Sequence, residues 1–425
     1  MAYSAHINST VRNRTASIQP VAQNQRLFTH TVVWLLVVGF LSVSVRLQAQ
    51  DFSQLDALIG KSDSILITDA KGHILFSKNA DQKRIPASIL KIFTSLVALH
   101  YLGDDYRFPT EFYLDQHSNL KIKGYGDPLL ISEVVSKISQ ILAVLLKKSN
   151  PLNDLIIDDS YFRQPLTIPG ITSSAQPYDA PNGALCVNFN TVAFKHTAKG
   201  YVSAEPQTPL LPFVVKKIKA SKLKAGRIVF SHHQDEISLY AGQLFQYFLK
   251  QQGLRFNGRV KLERVNMETD RLIYRYESSS SLNQNVVRLL EHSNNFMTNQ
   301  LLIATGAQII GTPGTLAKGV TIATDYANQV LGIADMTIVE GSGISRDNKV
   351  SVIQMDRVLQ EFLPYHYYMR RAGREYYKTG TLNGISTRAG YIRRANGHLC
   401  RYVIMLNSPR KSTEPIALRL LRILD

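Results

Sequence analysis

The spacing of apolar residues along the chain predicts both helices and strands. Residues 64–68 and 73–77 run apolar or alternate with polar residues around a turn, which is typical of a β-hairpin. Residues 89–99 are apolar nearly all round and follow Pro86, so they predict a buried helix that begins just after this proline. Helical spacing returns from residue 282 and again over residues 315–331 and 354–362.

Residues 106–275 have a different texture, with short β-like runs separated by turn residues. The runs cover residues 111–114, 120–124, 155–158, 183–189, 227–230 and 259–265, and residues 131–146 predict one interposed helix. Two more strands, 388–392 and 399–406, precede a helix over residues 416–424. We expect this last helix to pack on the sheet; the alternative is an amphipathic membrane anchor.

The pattern predicts an α+β fold divided by an insertion. Residues 50–105 and 276–425 would form one domain, an antiparallel sheet flanked by helices, in two parts. Residues 106–275 would form a β-rich inserted region of one or two subdomains. This middle block carries no obvious nucleophile or cluster of metal ligands, so we expect the chemistry to lie outside it.

The first 49 residues have the pattern of an export signal. Three arginines precede an apolar run at residues 32–45, and Ala49 offers a small residue for cleavage. A membrane-spanning helix needs about 20 apolar residues, and this run is shorter. We therefore predict cleavage near Ala49 and a periplasmic protein, with a retained anchor as the alternative.

Charge and cysteine content narrow the classes of partner. The formal net charge is +17, which favours peripheral association with anionic wall polymers or lipid headgroups. The export signal and the lack of a basic motif interleaved with aromatic residues argue against nucleic acid as a partner.

Cys186 and Cys400 could pair outside the cytoplasm, but we expect two small buried residues. We predict no metal and no cofactor, and the sequence leaves the oligomeric state open.

Ser88 and Lys91 are the first candidates for catalysis. Residues three apart share one face of a helix, so the Lys91 amine would lie beside the Ser88 hydroxyl. A serine hydroxyl becomes a good nucleophile only when a neighbouring group takes its proton, and a buried lysine with a lowered pKa can do so. Taken alone, the pair is more simply interpreted as a helix cap and a solvated charge, and only the motifs that follow reverse this interpretation.

Two further motifs follow the Ser88 pair in a fixed order. Ser293-Asn294-Asn295 lies between helical runs, and Lys378-Thr379-Gly380 lies on a strand-like run. Ser281 and Asn283 form a second copy of the middle motif. The order Ser-x-x-Lys, Ser-x-Asn, Lys-Thr-Gly is the motif set of serine β-lactamases and penicillin-binding proteins.

The sequence resembles the class C low-molecular-mass penicillin-binding proteins, which are D-alanyl-D-alanine carboxypeptidases and endopeptidases. The resemblance covers nearly all of the chain after the export signal and includes three segments of the middle block, residues 122–128, 158–162 and 178–190. The 201 residues between Lys91 and Ser293 agree with the family, in which inserted domains fill this gap. The family usually has Asp where Glu340 stands, and often Asp where Asn294 stands.

The resemblance implies a β-lactamase/transpeptidase-like domain that cleaves peptidoglycan stem peptides and is acylated by β-lactams. It implies that Ser88 attacks, that Lys91 takes the proton, and that Ser293 and Asn295 assist. The substrate-binding residues that it implies lie together on one strand: Lys378, Thr379, Gly380 and Thr381. The resemblance also places the backbone N–H groups of Ser88 and Thr381 in an oxyanion hole.

Several interpretations stay open at this point. The sequence does not choose between a carboxypeptidase and an endopeptidase. A β-lactamase is a second possibility, although no Glu-x-x-Leu-Asn-type loop for activating water lies between the Ser293 and Lys378 motifs. A non-catalytic peptidoglycan-binding protein is a third. Glu340 and Arg346 are interpreted as a structural turn beside the site, with a functional role as the alternative.

Overall fold

The computed structural model describes residues 52–425, so the predicted export signal lies outside the described residues. The described strands are β1 Asp63–Thr68, β2 Ile74–Lys78, β3 Pro109–Leu114, β4 Leu120–Gly124, β5 Leu155–Asp158, β6 Thr191–Thr197, β7 Gly200–Ser203, β8 Ala225–Val229, β9 Val260–Leu262, β10 Arg271–Glu277, β11 Arg370–Ala372, β12 Glu375–Leu382, β13 Ile385–Arg393 and β14 Leu399–Leu406.

The described α-helices are α1 Ser53–Asp56, α2 Leu90–Leu102, α3 Ser132–Leu145, α4 Pro212–Ser221, α5 Gln234–Gln251, α6 Leu282–His292, α7 Asn295–Ile310, α8 Leu316–Asp325, α9 Val352–Phe362 and α10 Glu414–Ile423. A π-helical turn, Tyr326–Val330, continues α8. In the described part of the chain, none of the helices has both the length and the apolarity needed to cross a bilayer.

The largest sheet has six antiparallel strands in the order β11-β12-β13-β14-β1-β2. The first strands of the chain thus pair with the last, and everything between residues 79 and 369 is built outside this sheet. β1 is buried on both faces because it lies between two layers. Leu66 faces the main core, while Ile65 and Ile67 face α10, as alternation along a strand requires.

Two smaller sheets come from the middle of the chain. One has the order β10-β3-β4-β5-β9 and mixes antiparallel and parallel pairs, and the other has the antiparallel order β7-β6-β8. Their strands lie between residues 109 and 277, close to the predicted insertion at 106–275. The division into domains stays a prediction, since residues 52–425 form one compact unit.

The helix α2 is the centre of the main core. Every residue from Leu90 to Leu99 is buried, because α6, α7 and α9 pack around the helix. At the opposite side of the six-stranded sheet, α10 contributes Ile416 and Leu420 to a second apolar cluster. The prediction that the C-terminal helix packs on the sheet is therefore confirmed.

One element predicted from the sequence is wrong. Residues 183–189 form a loop instead of a strand, and the loop ends in the turn Asn188–Asn190, whose three residues all have left-handed φ angles between 52° and 59°. Side-chain hydrogen bonds hold this turn: the Ser132 N–H donates to Asn188 Oδ1 at 2.9 Å, and Asn190 Nδ2 donates to the Pro181 carbonyl at 2.8 Å. These side-chain bonds to the backbone, one of them from a residue 56 positions away, override local strand preference.

Both cysteines are buried and unpaired. Cys186 lies next to Asn190 Nδ2, at 3.0 Å, whereas Cys400 belongs to the apolar cluster beneath α10. The expectation of two small buried residues is confirmed.

Candidate active site

Ser88 lies in a short 3-10 turn, Ala87–Ile89, that leads directly into α2. Two neighbours fix this turn. The Thr387 hydroxyl on β13 donates to the Pro86 carbonyl at 2.7 Å. A Cβ added to Gly343 would come within 1.9 Å of a carbonyl oxygen of the turn, so the Gly343 loop lies directly against it. The backbone of Ser88 is thus held at the end of a buried helix.

Lys91 lies one turn further along α2 and is fully buried. Its Nζ lies 3.0 Å from Ser88 Oγ, 2.7 Å from Asn295 Oδ1 and 2.6 Å from the Ser342 carbonyl oxygen. The orientation of the Asn295 amide is set, because its Nδ2 donates to the Tyr178 carbonyl at 3.1 Å. Two of the three neighbours of Nζ can therefore only accept hydrogen bonds, and the third is the Ser88 hydroxyl.

Burial holds the pKa of the Lys91 amine well below its usual value, because the charged form loses its hydration. The positive charge of Lys378 lowers this pKa further, and the negative charge of Glu340 opposes the shift. Lys91 thus has the environment that a lysine base requires.

The segment Ser293-Asn294-Asn295 forms the corner between α6 and α7. Ser293 ends α6 in the left-handed conformation, with φ 54°. Asn294 caps α7 by accepting a hydrogen bond from the Met297 N–H at 2.9 Å. This sharp corner directs Ser293 Oγ towards Lys378 Nζ, at 2.7 Å, and Asn295 Oδ1 towards Lys91.

Lys378 extends from β12 and is almost completely buried. Its Nζ donates to Ser293 Oγ and to the Thr379 carbonyl, each at 2.7 Å. Burial, followed by the charge of Arg370 on β11, lowers the pKa of Lys378 to about 8. Lys378 is therefore mostly charged at neutral pH, while its own charge helps to keep Lys91 neutral.

Gly380 allows β12 to lie against the Ser88 turn. A Cβ at this position would come within 2.4 Å of Thr387 Oγ1 and 2.5 Å of the Ser88 nitrogen. Thr379 and Thr381, on either side of Gly380, are exposed. The backbone of β12 thus lies directly beside the serine.

A buried carboxylate supports the site from behind. Glu340 is fully buried, and its two oxygens accept hydrogen bonds from three backbone N–H groups, from one hydroxyl and from two side-chain amides, which belong to Ser342, Gly343, Ser345, Asn348 and Asn299. These bonds fix the loop whose Ser342 carbonyl accepts from Lys91. Sequence reasoning missed this carbonyl, since a backbone atom has no residue signature; the flanking Gly341 and Gly343 were the available signal.

All eight residues predicted for the site lie in this one region. The second copy of the Ser-x-Asn motif has a structural role. Ser281 caps the start of α6, and its hydroxyl donates to Asn283 Oδ1 at 2.5 Å. Arg346 is exposed, and its Nη2 donates to the Asn383 carbonyl at 2.5 Å in the turn after β12. It supports that turn.

The fold and this arrangement define a serine peptidase of the penicillin-binding class. The model of the D-Ala-D-Ala carboxypeptidase 3 (S13) family matches residues 47–226 and 219–366, and the chain belongs to this family. It is therefore a serine-type hydrolase that acts as a DD-peptidase. The matched residues end before Lys378, so the position of the Lys378 motif in the site rests on the contacts above.

Individual proteins agree with the family assignment. The chain is 24% identical over 438 residues to a D-alanyl-D-alanine carboxypeptidase of Actinomadura sp. (strain R39), which covers 85% of this chain and 80% of that protein. The crystal structure of penicillin-binding protein 4 from Haemophilus influenzae superposes with a TM-score of 0.71 at 19% identity, over 88% of this chain and 98% of that one. The same protein complexed with a β-lactam superposes with a TM-score of 0.64 at 18% identity, over 87% and 98%. The predicted family and the α+β fold class are confirmed.

Proposed function

We propose that the protein cleaves peptidoglycan stem peptides through an acyl-enzyme on Ser88, with Lys91 as the general base. The observation that carries this proposal is the placement of a fully buried lysine amine 3.0 Å from the serine hydroxyl. Nucleophile and base lie within hydrogen-bond reach, as such catalysis requires.

The hydrogen-bonding capacity of the Lys91 amine supports its role as the base. A neutral amine has two N–H donors and one lone pair. The Asn295 and Ser342 oxygens can only accept, so they take both N–H groups and leave the lone pair for the Ser88 proton. Lys91 then receives the proton as Ser88 Oγ attacks the carbonyl between two D-alanines. Ser293, 2.7 Å from Lys378, hands a proton to the leaving amine.

The strand β12 supplies the proposed substrate contacts. Lys378, charged below a pKa of about 8, attracts the terminal carboxylate, and the hydroxyls of Thr379 and Thr381 bind the same group. The close approach of Gly380 to the Ser88 nitrogen supports an oxyanion hole made by the N–H groups of Ser88 and Thr381. One donor of this kind contributes about 3–4 kcal/mol in other enzymes. Gly380 leaves space for the substrate to add as a further strand.

We propose that β-lactams acylate Ser88 and that the resulting acyl-enzyme is hydrolysed slowly. A β-lactamase needs a carboxylate that activates water. Glu340, whose charge acts on Lys91, has both oxygens occupied by donors of its own loop, and this favours a slowly deacylating peptidase. Rapid turnover of a chromogenic cephalosporin would revive the β-lactamase alternative.

We also propose that the protein works in the periplasm, after cleavage near Ala49. The pattern of residues 1–49 and a substrate that lies outside the cytoplasmic membrane support this location. Cleavage removes four arginines and no acidic residue, so the net charge falls from +17 to +13, and this charge is consistent with peripheral contact with anionic wall polymers. Comparing the mass of the protein purified from the periplasm with that of the full chain tests the cleavage.

A fluorescent penicillin tests the nucleophile. We expect a covalent band on a denaturing gel for the wild type and none for Ser88→Ala. Ser408→Ala is the matched control, because Ser408 also begins a Ser-x-x-Lys sequence, but its Lys411 pairs with Asp63 at 2.5 Å. A band that persists in Ser88→Ala would show that another serine is acylated. A wild type that binds wall sacculi, yet neither forms the band nor cleaves peptide, would favour the non-catalytic alternative.

A further inference from the structure

A cavity of about 750 Å³ opens beside the corner that carries Ser293 and Asn295. The end of α6 and the corner itself line one part of the cavity. The region of the three-stranded sheet lines another part, through Thr191, Glu205, Gln207 and Thr208. The proposed chemistry on Ser88 uses the β12 side of this corner and leaves the cavity unexplained.

The floor of the cavity is apolar and held in place. Phe189 and Phe296 meet edge to face with ring centroids 6.1 Å apart, and Phe296 directly follows Asn295. Phe189 is the central residue of the left-handed turn Asn188–Asn190, whose unfavourable backbone is maintained by the asparagine side chains at its two ends. The fold thus maintains an aromatic surface next to the Ser293 corner.

The rim of the cavity carries both signs of charge. Arg288 and His292 lie four residues apart on the exposed face of α6, and Glu133 at the start of α3 faces the same space. Glu205 also lines it and is paired with Arg227. An apolar floor with a rim of mixed charge suits a short peptide that carries carboxylates and an amine.

We propose that this cavity binds the leaving stem peptide of a cross-linked peptidoglycan dimer, an inference that rests on the proposed function. Ser293 is both the proposed proton donor to the leaving amine and part of the cavity rim. A chain attached to that amine passes Ser293 and enters the cavity. The volume lies in the range of roughly 300–1,000 Å³ that holds drug-sized ligands, far more than the single D-alanine a carboxypeptidase releases.

The cavity leaves the chemical step unchanged and selects the leaving group. The amide bond between D-alanine and the amine of the second stem breaks, and an ester to Ser88 Oγ forms. The leaving amine gains a proton by way of Ser293, and water then hydrolyses the ester. The cavity would therefore raise the efficiency of endopeptidase cleavage without changing acylation by small substrates.

The test compares two substrates in the full-length enzyme. The double variant Arg288→Ala/His292→Ala removes the two basic side chains of α6 from the rim and leaves Arg227 in its pair with Glu205. Arg255→Ala/His117→Ala is the matched control, since both of its residues are exposed and line no part of the cavity. We expect kcat/KM for a cross-linked muropeptide dimer to fall at least about tenfold in the rim variant. Release of D-alanine from a pentapeptide and labelling by fluorescent penicillin should stay within about twofold.

A second variant, Gln207→Trp, fills the cavity from an exposed loop position and should give the same selective loss. Equal losses for dimer and pentapeptide would overturn the proposal, because the cavity would then hold the donor stem. Unchanged dimer cleavage in both variants would also overturn the proposal. So would a wild type that cleaves the pentapeptide but not the dimer. All of these results would leave the proposed function intact. A wild type that penicillin does not label would instead refute the proposed function itself.

Discussion

Replacing Glu340 by Gln is expected to lower the free energy of unfolding and to move the acid limb of the acylation rate to lower pH. Each partner of the Glu340 carboxylate donates a hydrogen bond to it. Gln has one accepting oxygen and one donating NH₂ group in the same space. The NH₂ group must therefore face donors whichever way the amide is turned.

The better orientation puts the NH₂ group where Oε2 stands. There the Ser342 hydroxyl can rotate to accept, but the Ser342 N–H at 2.6 Å and Asn299 Nδ2 at 3.1 Å cannot. Asn299 is fixed because its Oδ1 accepts from the Gly341 N–H at 2.8 Å. Two buried donors lose their acceptor at about 1–3 kcal/mol each, so the free energy of unfolding should fall by roughly 2–6 kcal/mol.

The pH effect follows from charge. Glu340 raises the pKa of Lys91, so removing its negative charge lowers that pKa further. Lys91 must be neutral to act as the base, and the acid limb of the acylation rate should move to lower pH. Urea unfolding and the pH dependence of penicillin acylation measure the two effects. Glu268→Gln is the control, because Glu268 is exposed and its hydrogen bond to Asn266 is made by the backbone N–H, which the substitution keeps.

Two results would refute this reasoning. An unfolding free energy within about 1 kcal/mol of the wild type would mean that the Ser342 loop does not depend on the carboxylate. An acid limb displaced to higher pH would mean that the charge of Glu340 does not act on Lys91 as the contacts imply.

Three further predictions concern the reacting groups. Lys91→Met should lower the rate of penicillin acylation by about 10²–10⁴, the usual contribution of a general base, while non-covalent binding persists. For pentapeptide, kcat/KM should fall as the pH rises through about 8, because Lys378 loses the charge that attracts the carboxylate. Gly380→Ala should lower acylation by about 100-fold or more, because its Cβ would lie 2.5 Å from the Ser88 nitrogen and displace β12.

Each of these predictions has a matched comparison. Lys224→Met removes the lysine of another Ser-x-x-Lys sequence and should acylate normally. A neutral peptide amide should lack the alkaline limb, and a limb shared by both substrates would exclude Lys378 as its source. Gly60→Ala meets only side-chain atoms, at 3.2 Å and beyond, and should be active. Normal acylation by Gly380→Ala would contradict the proposed approach of the strand to the serine.

The sequence alone determined the local elements and the residue types of the site. A run of residues that are apolar nearly all round marked α2, because a helix buried on every side needs no polar face. Strands β4, β5 and β14 fall at the predicted residues. It also placed Ser88 and Lys91 on one helical turn, since their separation is set by helix geometry. It could not give the turn Asn188–Asn190, whose conformation depends on a hydrogen bond to Pro181 and on one to Ser132, which is 56 residues away in the chain.

The tertiary structure decided what the site can do. Ser293 and Asn295 reach Lys378 and Lys91 only because α7 packs on α2 and β12 lies against the Ser88 turn. Burial and the positive charge of Lys378 lower the pKa of Lys91, and the oxygens of Asn295 and Ser342 orient its lone pair. None of these is a property of the tripeptide motifs, because desolvation and charge act through space between elements that are distant in sequence.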